Sequence, residues 1–189
     1  MATPQMYKEG ATLNQSIRRP GHLAATWCIA LCALWVVAYP GAAMTMQEDK
    51  LIKLRLDDVH PLHGGQNMVI SSDGTAMTQV VTWRKDLSKL HEVRYKTSMS
   101  PEVMGDLTKL SNVAADSEGP SPRAGLPDEP RPTISATFQS QKSFRLLKWA
   151  NDQYPHFDRI YAVLLGQIEK ARHTTPVYEG PYDPRGLMD

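Results

Sequence analysis

Alternating apolar and polar residues after residue 48 predict a series of short strands. In residues 51–56 the apolar side chains alternate with Lys53 and Arg55, which is the two-residue period of a strand with one buried face. Similar segments occur at 67–72, 75–83, about 90–97, 133–139 and 144–149. Asp73-Gly74 separates the second segment from the third and is typical of a tight hairpin turn. Short connections between neighbouring strands favour an antiparallel sheet.

Two segments with helical periodicity follow the strands. The first begins at Ser100, a favourable N-cap, with Pro101 at the first helical position. The second covers about 156–172 and carries one apolar stripe. Residues 116–132 contain five prolines and are predicted to form a loop, and 173–189 are predicted to form a flexible tail. We therefore predict an α+β domain over residues 48–172, with about five to six antiparallel strands and two helices on one face.

The segment before this domain is almost wholly apolar. Residues 23–38 carry no charge, and extension to residue 44 approaches the length of a membrane-spanning helix. Three basic residues precede the run (Lys8, Arg18 and Arg19), so we expect residues 1–22 in the cytoplasm and residues 48–189 exported. Three interpretations are open: an uncleaved anchor at 23–44, a cleaved secretory signal with small residues before Met44, or a buried helix of a soluble protein. The first two predict a protein of the cell envelope, membrane-anchored or secreted.

The composition and charge of the chain exclude some classes of function but do not identify a specific one. The chain has 189 residues, with 21 Lys and Arg against 20 Asp and Glu and a net charge of +1. Proteins that coat nucleic acid usually carry a basic excess, so we expect no nucleic-acid partner. Cys28 and Cys32 both lie in the apolar segment, which leaves the predicted exported part without a thiol to oxidise.

One short segment combines residue types that bind metal ions. Asp57, Asp58, His60 and His63 offer two carboxylates and two imidazoles, which suit zinc or a similar divalent ion. Pro61 prevents the two histidines from sharing a helical face, so the same residues also fit a polar connection between strands. His91 could complete a site only if the fold brings it near.

The sequence therefore leaves two classes of function. No G-x-S-x-G, P-loop or G-x-G-x-x-G motif occurs, so we expect no cofactor and no catalytic activity, and we predict a non-catalytic envelope protein. Such a protein would be anchored in the membrane by residues 23–44 and would contact an envelope partner through a sheet edge or the 116–132 loop. The alternative is a metal-binding protein or metal-dependent hydrolase built on the Asp57, Asp58, His60 and His63 cluster. A small apolar ligand between sheet and helices is a third, less specific possibility.

Overall fold

The computed structural model describes residues 48–86, 88–120, 123–124 and 129–187. These residues form an α+β fold with a seven-stranded antiparallel sheet and two helices. The elements are β1 (Leu51–His60), β2 (Gly64–Ser71), β3 (Thr75–Arg84), β4 (Lys89–Ser98), α1 (Pro101–Ala115), β5 (Thr133–Phe138), β6 (Ser143–Leu147), α2 (Pro155–Arg172) and β7 (Tyr178–Pro181). The strand order across the sheet is β6-β5-β1-β2-β3-β4-β7.

The predicted hydrophobic segment at 23–44 lies outside the described residues. Within the described ranges, no helix is long and apolar enough to cross a membrane.

The hydrophobic core lies between one face of the sheet and the two helices. Alternate residues of the central strands point into it, including Leu54 and Leu56 of β1 and Met68 and Ile70 of β2. The apolar stripe of α2 covers them, and its members are almost fully buried: Phe157, Ile160, Leu164 and Ile168. Helix α1 begins as predicted, with the Ser100 hydroxyl accepting a hydrogen bond from the Val103 N–H at 3.4 Å. Both helices therefore lie on one side of the sheet, and we call the opposite side, which no helix among the described residues covers, the open face.

The first hairpin is longer than the sequence pattern indicates. We expected a connection over 57–65, but β1 continues to His60 and pairs with β2 as far as Gly64. The chain reverses within three residues because Gly64 and Gly65 adopt positive φ angles of 78° and 143°. A Cβ atom at Gly65 would lie 1.9 Å from the Asp58 carbonyl oxygen. Glycine thus permits the close backbone approach that extends the two strands.

The C-terminal segment also differs from the flexible tail expected over 173–189. Four of its residues form β7, which pairs with the outer edge of β4. The Val177 N–H donates to the Arg94 carbonyl at 2.8 Å, and the Tyr182 N–H donates to the Leu90 carbonyl at 3.2 Å. The Arg94 guanidinium lies 4.6 Å from the centroid of the Tyr178 ring. These contacts fix the segment along the sheet edge, from which residues 182–187 continue over the open face.

Candidate functional site: a groove on the open face of the sheet

The floor of the groove consists of short polar side chains from three neighbouring strands. Thr133 of β5, Asp57 of β1 and Asn67 of β2 lie side by side in register. They project to the open face because successive residues of a strand point to opposite sides, and Leu56, Met68 and Ile134 fill the core. Side chains of this size leave a depression between taller neighbours.

The first wall is built from Arg131 and Trp149, which extend the β5–β6 pairing beyond the strand ends. The Lys148 N–H donates to the Pro132 carbonyl at 3.2 Å, and the Ala150 N–H donates to the Pro130 carbonyl at 2.9 Å. Between these two bonds, Arg131 lies opposite Trp149, and its guanidinium carbon is 5.3 Å from the indole centroid. The pair therefore stands beside Thr133 at the edge of the floor.

A second guanidinium braces the same indole ring. The guanidinium carbon of Arg123 lies 5.5 Å from the Trp149 centroid. Its Nη2 is 2.6 Å from a Glu129 carboxylate oxygen, and its Nε is 2.7 Å from an Asp152 carboxylate oxygen. Because both carboxylates bind Arg123, this residue is a structural brace for the wall.

The second wall is the C-terminal segment, represented by Tyr182 and Pro184. Asp183 between them is fixed through its backbone. Its N–H donates to a Glu92 carboxylate oxygen at 3.2 Å, and its carbonyl accepts from the Gln79 side-chain amide at 3.1 Å. The wall is thus attached to side chains that belong to the central strands.

A buried row of polar side chains connects the floor to this wall. The Asn67 amide donates to the Gln79 side-chain oxygen at 2.8 Å, and the Gln79 amide donates to the Glu92 carboxylate. Arg94 also donates to Glu92 and forms an ion pair with it. Gln79 and Glu92 are fully buried, and Asn67 is 7% exposed. These bonds fix Asn67, Gln79 and Glu92 relative to one another, because buried polar groups are stable when they are hydrogen-bonded. The buried Arg94 Nε has no hydrogen-bond partner among the described residues.

Between the two walls lies an open groove with a volume of about 650 Å³. This size falls within the roughly 300–1,000 Å³ typical of ligand-binding clefts. Arg55 and Asp57 form an ion pair on its floor with a 2.7 Å contact. Burial raises the pKa of the Tyr182 phenol, and the nearby carboxylates of Glu92, Asp57 and Asp183 raise it further. Tyr182 is therefore a neutral hydroxyl at physiological pH.

Of the four predicted metal ligands, the structure brings His60 and His63 together but places Asp57 and Asp58 on opposite faces of the sheet. Asp57 points to the open face, whereas Asp58 points to the helical side and accepts a hydrogen bond from the Tyr161 hydroxyl. Burial raises the pKa of Asp58, and this hydrogen bond opposes the shift. The His60 and His63 rings stack with centroids 4.7 Å apart, and the His60 Nδ1 accepts from the Leu62 N–H at 3.1 Å.

His91 does not join this group. It lies on β4, opposite Thr82 and Pro181, and its Nε2 is 3.9 Å from a Glu179 carboxylate oxygen. Among the described residues, no three His, Cys, Asp or Glu side chains are grouped so that they could hold a metal ion. Metal binding by Asp57, Asp58, His60 and His63 stays a prediction, which metal analysis of the purified protein would decide.

Sequence reasoning missed most of the groove. Asn67 and Gln79 lie within predicted strands, where a polar residue among apolar neighbours was the only available signal. Arg131 and Trp149 flank the predicted β5–β6 hairpin, and their contact depends on its register. Nothing local in the sequence indicates that Tyr182 returns to the sheet.

Comparison with protein-family models, curated proteins and solved structures gives no significant match.

Proposed function

We propose that this chain is a non-catalytic protein of the cell envelope, anchored or secreted through residues 23–44, whose folded domain binds another protein in the groove. The observation that carries the binding role is the composition of the two walls. Arg131, Trp149 and Tyr182 face one cleft from different parts of the chain. Arg, Trp and Tyr are the residue types that most often dominate the energy of protein–protein contacts.

The way the groove is built supports the same role. Its walls come from the β5–β6 hairpin and from the C-terminal segment, and the buried Asn67, Gln79 and Glu92 side chains join floor to wall. A site fixed by its surroundings binds with a smaller ordering cost than a flexible one. The groove is thus a preorganised surface for a partner.

The envelope location is supported by the sequence. The charge-free run at 23–38 comes after Lys8, Arg18 and Arg19, the arrangement that retains an N-terminus in the cytoplasm and exports the remainder of the chain. Fractionation of a C-terminally tagged chain, together with its mass, tests this part. We expect it in the membrane at full length or outside the cytoplasm after cleavage. Full-length protein in the soluble cytosolic fraction would contradict the proposed location.

Site-specific photo-crosslinking in intact cells tests the binding role. A photoreactive amino acid in place of Pro184 lies at the rim of the groove, and the same residue in place of Val113 lies on the exposed side of α1, where Val113 is 53% exposed. We expect one defined protein adduct from position 184 and none from position 113. The same adduct from both positions, or none from position 184, would contradict binding in the groove.

A further inference from the structure

Three carboxylate residues line the groove. Asp57 and Glu129 are bound by arginines of this chain, whereas the side chain of Asp58 is turned to the helical side and accepts from the Tyr161 hydroxyl. The single Nε–H of Arg55 donates to both carboxylate oxygens of Asp57, at 2.8 Å from each, and the Arg55 Nη2 also contacts Asp57. Glu129 binds Arg123 at 2.6 Å and is only 3% exposed. Asp57 and Glu129 thus each have an arginine partner, and Arg123 is shared between Glu129 and Asp152.

Arg131 differs from the other arginines of the groove. Within the described ranges, it contacts the Trp149 ring and pairs with no carboxylate. Arg123 lies against the same ring but is bound by Glu129 and Asp152, so the two arginines share an aromatic partner and differ in their ionic partners. Among the described residues that line the groove, Arg131 is therefore the arginine whose exposed guanidinium has no carboxylate partner.

The position of the Arg131 guanidinium over the Trp149 ring suits one kind of ligand. The N–H groups of a guanidinium lie along the edge of its plane, where a planar carboxylate can accept two parallel hydrogen bonds. The indole restricts the side chain beforehand, so less conformational entropy is lost on binding. Beyond it, the floor offers the Thr133 hydroxyl and the opposite wall offers the Tyr182 ring.

On this charge complementarity we propose that the groove binds an extended segment of a partner protein through an Asp or Glu side chain that pairs with Arg131. The carboxylate would lie at the edge of the Arg131 guanidinium. Neighbouring residues of the segment would lie over Thr133 and against Tyr182. This inference rests on the proposed function and adds the chemistry of the partner.

A panel of short capped peptides tests the inference with the full chain in detergent micelles. The peptides share random flanks and differ only at the central residue, which is glutamate, glutamine, lysine or phosphoserine. We expect tighter binding of the glutamate peptides and, because one charge-assisted contact is lost, about tenfold weaker binding of them by Arg131→Gln. Arg131→Lys retains the charge but not the planar fork, so we expect an intermediate loss.

Arg145→Gln is the matched control, since Arg145 is exposed on the same open face, opposite Ser135 and outside the groove. We expect it to bind the glutamate peptides as the unchanged chain does. An unchanged melting temperature shows that Arg131→Gln is folded. Equal binding by both variants would overturn the inference, as would a preference for lysine peptides that Asp57→Asn abolishes, or a preference for phosphoserine over glutamate.

The two proposals fail in different ways. A partner crosslinked from position 184 with no glutamate preference overturns the carboxylate inference and leaves the binding role intact. Absence of the crosslink overturns the binding role itself.

Discussion

The buried carboxylate of Glu92 gives the sharpest test of how the groove is held together. It is fully buried and accepts hydrogen bonds from Gln79, from the Asp183 backbone and from Arg94. Glu92→Gln retains the shape of the side chain but removes its charge. Every group that contacts the carboxylate is a donor, so the new NH2 group would face a donor in either orientation, Gln79 and the Asp183 N–H in one and Arg94 in the other.

The expected cost follows from the surroundings of Arg94. Removing one partner of a buried ion pair costs about 3–5 kcal/mol because the other charge is left uncompensated. The Arg94 side chain is 19% exposed, so water relieves part of this penalty and places the cost near the lower limit, at about 3 kcal/mol. For a domain of this size, such a loss lowers the melting temperature by roughly 6–12 °C.

Thermal and denaturant unfolding of the full chain measure this effect, with Glu169→Gln as the control. Glu169 is 63% exposed and lies 3.6 Å from Arg172, so its replacement should cost less than about 0.5 kcal/mol. Hydrogen exchange adds a local readout, because the Asp183 amide loses its charged acceptor and should exchange faster in Glu92→Gln. A Glu92→Gln variant within about 1 kcal/mol of the control would refute the proposed support of the wall.

Three further predictions concern the strands and the core beneath the groove. Burial raises the pKa of Asp58 in the folded state, so its proton stabilises the fold at low pH and this contribution is lost as pH rises through that pKa. As pH rises above about 4, the ordinary value of an Asp carboxyl, the slope of unfolding free energy against pH should be more negative in the unchanged chain than in Asp58→Asn, and equal slopes would contradict this. Gly65→Ala should lower the unfolding free energy by at least about 2 kcal/mol in denaturant, because Gly65 has a φ of 143° and a Cβ there would meet the Asp58 carbonyl. The control, Gly105→Ala in the open surroundings of α1, should raise it by about 0.5–1 kcal/mol, and the same change in both variants would contradict the need for glycine at position 65. Leu164→Ala should cost about 2–5 kcal/mol in the same assay, because Leu164 is fully buried between α2 and the sheet, and a loss under about 1 kcal/mol would contradict this packing.

The elements that depend on local signals could be predicted from the sequence. The Asp73-Gly74 turn is confirmed, with Gly74 at a φ of 82°, and Ser100 caps α1 as expected. The alternation over residues 51–56 correctly places Leu54 and Leu56 on the buried face of β1, because burial of one face imposes a two-residue period. It is wrong for Ile52, which is 38% exposed while Leu51 is buried, since the pairing of β1 with β5 shifts register between Leu51 and Lys53. Each of these features is determined by residues within a few positions of one another, so it can be recognised in a single sequence.

The groove depends instead on contacts between distant residues. Asp57 meets Thr133 only because β5 pairs with β1, and Glu92 binds Asp183 only because β7 adds to the edge of β4. The four residues of β7 include a glycine and a proline and show no alternation, so their pairing has no local pattern. The candidate site could therefore not be derived before the strand order was known.

Hydrogen–deuterium exchange of the unchanged full chain tests most directly whether the groove is the binding surface. Exchange is compared with and without the partner protein that photo-crosslinking from position 184 identifies. We expect slower exchange at the groove amides of β1, of residues 129–133 and of the C-terminal segment, with α1 and α2 unchanged. Protection concentrated on the exposed sides of α1 and α2, with the groove unchanged, would contradict the proposed site.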